Sequence, residues 1–304
     1  MLPLMLLGPG AALGCGLAYL AVDYLRKVVD APPPQTLLVF IGLQIPVLAA
    51  WAWFSGDFAR AAPVAAGYWV PGLADIAAGI AANLLYLLAL RRSPLSLMIP
   101  LLALIPGVTL ILSGVLLGEW PTMRQSAGIA IVVLGLFTLY SASEPGAAQR
   151  GVLAPLAAAL RNLRRERGAP FMAGVVVLWS TTPALDKLCI AQSSVGLHGL
   201  IQVAAISALI AVWMLARGGP AAFRVNPTAR RPLLVAGVLG GAGYVLQLAA
   251  YQLMLVAAAE LIRRVSGMLG ALVVGRVALG ETVSAPKIAG VLIIAVGLPL
   301  VLGA

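Results

Sequence analysis

Ionisable side chains are scarce in this sequence. Lys, Arg, Asp and Glu make up 10% of its 304 residues, against 62% hydrophobic ones. The few that interrupt long apolar runs are therefore the first candidates for chemistry. Asp75 stands between Leu73-Ala74 and Ile76-Ala77, and a carboxylate in such a place can take up and release a proton or a cation. An acid at a membrane interface, paired with a base or hydrated, is the other reading, and Pro71-Gly72 just before it would then mark a helix end. Arg263 and Arg264 lie about one turn inside a later apolar run, with Arg276 further along it. A guanidinium holds carboxylate or phosphate through two parallel hydrogen bonds. These three residues are candidates for an anionic group, unless they reach to headgroups or pair with Glu260 and Glu281.

Neutral groups add a second set. Asn83 and Gln247, with Gln44, Gln202 and Gln252, could hydrogen-bond a solute or simply bridge helices. Tyr86, Trp179, Tyr244 and Tyr251 could line an aromatic pocket or pack. Acid–base pairs at the ends of apolar runs suggest gates: Asp23 with Lys27, and Asp186 with Lys187. Asp23 is expected near Arg91 and Arg92, and Asp186 near Arg263 and Arg264, each set closing one face. Local pairing, such as Asp23 with Lys27 one turn on, is the simpler alternative and contributes only a few tenths of a kcal/mol when exposed.

Some chemistry is absent from the pattern. His198 is the single histidine and cannot build a metal site alone, so neither a metal nor another cofactor is expected. There is no paired His-Glu metal motif, no Gly-x-Ser-x-Gly elbow and no phosphate-cradling glycine loop, so an enzyme is not expected. The net charge of +10 comes from Lys and Arg in short pieces between apolar runs. That is the pattern of loops facing anionic headgroups, not of a nucleic-acid surface. Cys15 and Cys189 both fall within apolar runs and are read as packing residues.

The elements that must position these groups are membrane spans. A helix needs about 20 mainly apolar residues to cross the hydrocarbon core. Ten stretches qualify: Leu4–Tyr24, Thr36–Phe54, Ala66–Leu90, Pro94–Gly118, Thr122–Ser141, Pro170–Ile190, Gly196–Ala216, Pro232–Leu255, Glu260–Gly280 and Ser284–Gly303. The fold class is thus an all-α polytopic membrane protein. The longest connection carries Arg150, Arg161, Arg164, Arg165 and Arg167, with Leu153, Leu156, Leu160 and Leu163 at helical spacing. It reads as an amphipathic helix on the membrane surface. The bias of Lys and Arg to the loops after odd-numbered spans puts both termini outside the cytoplasm.

Two stretches repeat without gaps at a shift of 162 residues. One holds Gly118, Glu119, Gly128 and Gly135; the other holds Gly280, Glu281, Gly290 and Gly297. Glu119 and Glu281 are each expected to start the turn into the next helix, near its positive end. The chain divides into residues 1–141, a basic linker at 142–169, and residues 170–304. Five spans per half is odd, so the second half enters the membrane inverted. Inverted repeats are a hallmark of secondary transporters, with a solute site near the midplane.

The repeated Gly-Glu turn with its glycine-spaced helix resembles the drug/metabolite transporter superfamily, in its EamA-type ten-helix form. The run from Trp179 to Lys187, Tyr86 to Leu90, and Pro106 fit the same resemblance, although Gly16 stands where the first span would carry a Trp. The resemblance implies a cavity lined by spans one to four and six to nine, working by alternating access. The expected function is secondary transport of a small solute across the cytoplasmic membrane, by export or exchange. The net basicity within the spans favours an anionic or zwitterionic solute, such as an amino acid or organic acid. A lipid or lipid-linked-sugar flippase and a multidrug efflux permease are the alternatives of the same fold. Membrane lipid and the solute are the expected partners, with a homodimer allowed and nucleic acid excluded.

Overall fold

The computed structural model describes residues 2–27, 33–59, 64–93, 99–141, 167–218, 226–278 and 284–303. All regular elements among these residues are helical. They are α1 (Leu2–Lys27), α2 (Pro33–Gly42), α3 (Gln44–Phe54), α4 (Trp69–Arg92), α5 (Ile105–Leu117), α6 (Met123–Ser141), α7 (Ala169–Ala191), α8 (Val195–Gly218), α9 (Pro227–Leu253), α10 (Val256–Ala278) and α11 (Ala285–Leu302). Single turns of 3-10 helix occupy Asp57–Ala59 and Ala66–Tyr68, and a longer one, Ile99–Leu104, leads into α5.

Each of the ten expected spans is occupied by helix, and the protein is polytopic. Six stretches are long and apolar enough to cross a membrane among the described residues: Gln35–Phe54, Ala66–Tyr86, Ala169–Ala191, Val195–Arg217, Pro227–Leu253 and Ala285–Leu302. Leu7–Val22, Leu101–Leu117 and Met123–Leu139 are shorter apolar helices, while α10 carries Glu260, Arg263, Arg264 and Arg276. Lipid forces this choice, because an open strand would leave backbone polar groups without partners in hydrocarbon. The surface helix expected within 142–166 lies outside the described residues.

Two spans are not continuous α-helix. The second breaks at Leu43, three residues before Pro46. Pro46 has no N–H to offer the carbonyl one turn back, which leaves Gly42 without its ordinary helical partner. The fourth, over its described residues, runs as 3-10 helix from Ile99 to Leu104, and α5 then starts with Pro106 in its first turn. Ends are capped by recognisable devices. Thr122 and Gln125 form a reciprocal capping box: Gln125 N–H donates to Thr122 Oγ1 at 3.2 Å, and Thr122 N–H to Gln125 Oε1 at 3.0 Å. Ser194 Oγ accepts from Leu197 N–H at 3.1 Å at the start of α8. Gly118 closes α5 at φ +70°, a left-handed conformation that suits glycine.

The chain forms two compact units, each drawing on both sequence halves. The first comprises Met1–Ile76 with Asp186–Leu253; the second comprises Ala77–Leu185 with Met254–Ala304. In the first, α1 packs along α9, with Gly14 against Leu246 and Gly243 against Ala18. The broken second span seats on three glycines of α9. A Cβ on Gly237 would lie 2.4 Å from Leu43, one on Gly240 2.5 Å from Phe40, and one on Gly241 2.8 Å from Val47. Small residues here allow the backbones to close up, as membrane helices require when lipid is as apolar as their side chains. Buried Asp57 accepts from Ser55 Oγ at 2.8 Å and lies against Gly196 in the first turn of α8, where the helix end favours an anion.

In the second unit, α6 and α11 lie antiparallel through the repeated glycines. Gly128 meets the Gly297 carbonyl and Gly135 meets the Gly290 carbonyl. Val132 fills the space over Gly297, and Ile294, its equivalent at a shift of 162, fills that over Gly135. Leu136, Phe137, Leu261, Val265 and Val301 are buried around this pair. A second apolar cluster joins Ala89, Leu101, Ile105, Met172 and Val175.

Candidate functional site

A set of buried polar side chains sits within the first unit, on three helices and the turn before α4. Asp75 lies in the second turn of α4, Asp186 near the end of α7, and His198 in the first turn of α8. One donor atom from each of these three lies within 4.8 Å of the others, and all three residues are buried. His198 Nε2 is 2.8 Å from Asp186 Oδ1, and its Nδ1 is 3.0 Å from the Tyr68 hydroxyl. With a neutral imidazole and an ionised Asp186, Nε2–H donates to the carboxylate and Nδ1 accepts from Tyr68; an imidazolium donates at both nitrogens. Tyr244 donates its hydroxyl proton to the same Asp186 oxygen at 3.4 Å. Gln202, one turn after His198 on α8, donates its amide to Asp75 Oδ2.

The local sequence explains how these groups converge. His198 and Gln202 are four residues apart and share one face of α8. Glycines at 196 and 199 let α3 approach that end of the helix: a Cβ on Gly199 would stand 2.6 Å from Leu48. The Ala66–Tyr68 turn, tied by Ala65 N–H to the Gln192 carbonyl at 2.9 Å, aims Tyr68 at the imidazole. The charge pattern is the chemically telling part. Two carboxylates buried this close repel strongly in a low dielectric, and their hydrogen-bond partners here are an amide, a phenol and an imidazole. A proton, an imidazolium or a bound cation would offset the repulsion.

The other residues singled out from sequence are placed as follows. Glu260, buried on α10, accepts from Arg263 Nε at 2.9 Å and Nη2 at 2.7 Å, and from Arg264 Nη2 at 3.4 Å. The three form one ionic group with two cations on one carboxylate. Arg276 is exposed in the last turn of α10. Asn83 is exposed and donates to the Gly79 carbonyl on its own helix, at 2.7 Å. Tyr86 and Trp179 are neighbours in the second unit, with ring centroids 5.4 Å apart. Gln247 Oε1 accepts from Cys15 Sγ at 3.8 Å, and Tyr251 is buried on α9.

The gate pairs fall out differently. The Asp23, Lys27 and Arg91 side chains lie outside the described residues, while Arg92 stacks its guanidinium 4.3 Å over the Phe171 ring. Asp186 bonds to His198 and Tyr244; its sequence neighbour Lys187 is half-buried on α7. Glu119 reaches the start of α10, a helix much later in the chain than the one that follows it. Its Oε2 accepts from Val256 N–H at 3.1 Å, so its carboxylate sits on the positive end of α10. Gly280 and Glu281 lie outside the described residues.

Three members of the cluster were not candidates from sequence: His198, Tyr68 and Gln202 as an Asp75 partner. The available signal for the first and last was their four-residue spacing in an otherwise apolar span. Tyr68 gave none.

Residues 2–141 match the model of the EamA-like transporter family. No curated protein matches significantly. A crystal structure described only as that of a protein covers 98% of this chain, and 96% of its own chain is matched, with a TM-score of 0.73 at 17% identity. The two share a fold over nearly their whole lengths. The first half of the chain is thus similar to the EamA-like transporter family, and its long apolar helices make the whole a multi-pass membrane protein.

Proposed function

We propose that the protein is a proton-coupled secondary transporter that moves a small metabolite across the cytoplasmic membrane by alternating access. The observation that carries this reading is the buried set of Asp75, Asp186 and His198, on three different helices of one unit. Ionisable groups inside spans are costly, by about 2.5–3.5 kcal/mol on insertion scales, and characteristically serve ion or proton pathways. A proton held here offsets the repulsion between two carboxylates, and its release to one side of the membrane provides the coupling.

The halves 1–141 and 170–304 act in this proposal as inverted repeats around the solute path. The antiparallel contact of α6 with α11 supports it, since a shift of 162 residues exchanges its two ends. The transported class is an amino acid, an organic acid or a related solute, exported or exchanged. Arg263 and Arg264 stand together on α10 beside Glu260, and guanidiniums suit a solute with a carboxylate.

The test uses purified protein in proteoliposomes with a pH-sensitive dye inside. Addition of the transported amino acid or organic acid should move protons across the bilayer, and Asp75→Asn and Asp186→Asn should abolish that movement. Solute flux that proceeds at the wild-type rate without proton movement, or with Asp75→Asn unaffected, would sink the coupling role.

A further inference from the structure

The coupling cluster has the makings of a metal site. Asp75 and Asp186 offer carboxylate oxygens and His198 offers Nε2, all within 4.8 Å of one another. In a tetrahedral site with metal–ligand bonds of about 2.1 Å, donors stand about 3.4 Å apart, so modest side-chain rotation would bring these three to a common centre. Three protein ligands with one position open is the arrangement of exchangeable zinc-type sites.

One further observation points to a ligand of this kind: His198 Nδ1 is held at 3.0 Å by the Tyr68 hydroxyl. A partner on the far ring nitrogen fixes the ring and directs the other nitrogen at the ion, as outer-shell groups do in metal centres. An imidazole beside two carboxylates suits borderline transition cations over magnesium or calcium, which prefer oxygen alone.

We infer that Asp75, Asp186 and His198 bind a divalent transition-metal cation of the zinc type. The inference rests on the coupling reading above, because it assigns a second cation to the same carboxylates. Binding requires the imidazole proton to leave Nε2, so metal and proton compete for the cluster. Clamping α4, α7 and α8 together, the ion would hold the first unit in one arrangement and inhibit transport.

Cobalt(II) is the probe, added to the full-length, metal-free protein in detergent. The expected result is one equivalent bound per chain, with the intense visible bands of low-coordinate cobalt. His198→Gln and Asp186→Asn should lose the visible bands while far-ultraviolet circular dichroism stays unchanged. Tyr68→Phe keeps every ligand, and it should weaken cobalt binding by about 10–100-fold, which guards against variants that fail to fold. No visible bands in the wild type, or bands that persist in His198→Gln, overturn the metal site. The coupling reading has its own readout: Asp75→Asn can abolish proton movement in vesicles even where cobalt never binds.

Discussion

The glycine contact between α6 and α11 allows a stability change to be worked from distances. A Cβ added at Gly135 would stand 2.7 Å from Ile294 Cγ1 and 2.9 Å from the Gly290 carbonyl oxygen. One added at Gly290 would stand 2.7 Å from Leu139 Cγ and 3.0 Å from the Gly135 oxygen. Side chains can rotate away, but the carbonyls belong to helix backbone, so the whole facing helix must retreat by about half an ångström. A gap of that size forfeits about a quarter of each dispersion well along the contact, and overpacking of this kind costs about 1–3 kcal/mol. Gly79 and Gly107 are also helical, yet a Cβ on either meets nothing within 4 Å. There, Gly→Ala should stabilise by about 0.5–1 kcal/mol, since alanine restricts the unfolded chain more. Thermal unfolding of Gly135→Ala, Gly290→Ala, Gly79→Ala and Gly107→Ala in one mild detergent, followed by tryptophan fluorescence, separates the two groups. Gly135→Ala as stable as Gly107→Ala would refute the close-packing argument.

Other expectations follow from the same geometry. Glu119→Gln should cost about 0.5–2 kcal/mol in thermal unfolding, through loss of the charged acceptor on the first turn of α10, with proton coupling retained. Glu260→Gln should destabilise more than Arg263→Gln, because it leaves two guanidiniums without their shared carboxylate; equal losses in denaturant titration would contradict that ion group. Gly196→Ala should cost about 1–3 kcal/mol, since its Cβ would stand 2.7 Å from Asp57 Oδ2 and 2.8 Å from the Ala52 backbone. Asp186→Asn and His198→Gln should be non-additive by about 0.5–3 kcal/mol in a double-mutant cycle, and strict additivity would deny the contact between them.

The helical layout was legible because hydrocarbon leaves little choice: apolar length alone located the spans. The breaks were harder. Proline marked both regions, yet whether Pro46 kinks a helix or interrupts it depends on whether the neighbouring helix supplies room, and Gly237, Gly240 and Gly241 do so here. Asp75 was visible as a carboxylate within a span. Its setting was not, because Asp186 and His198 come from helices over a hundred residues away in sequence. His198, counted alone, promised no ligand chemistry; the fold gives it two carboxylates. Asp186 was read through its neighbour Lys187, although adjacent helical residues point in different directions. Glu119 was expected near the start of the helix that follows it; its bond to the first N–H of α10, 137 residues away, could not be read from sequence order.

The pairing of α6 with α11 has one more consequence. Gly128 touches Gly297 and Gly135 touches Gly290, so exchanging each residue for its counterpart 162 positions away maps the contact onto itself. Such a face is self-complementary, and its symmetry is that of an isologous dimer interface. A half-length ancestor bearing one copy would already have owned both sides of this junction. A substitution there would have altered the two sides together, and only after fusion could they drift apart. Val132 and Ile294 form one such pair of counterparts, and Leu139 and Val301, at the two ends of the contact, form another: each pair sits at equivalent places and differs by one methylene.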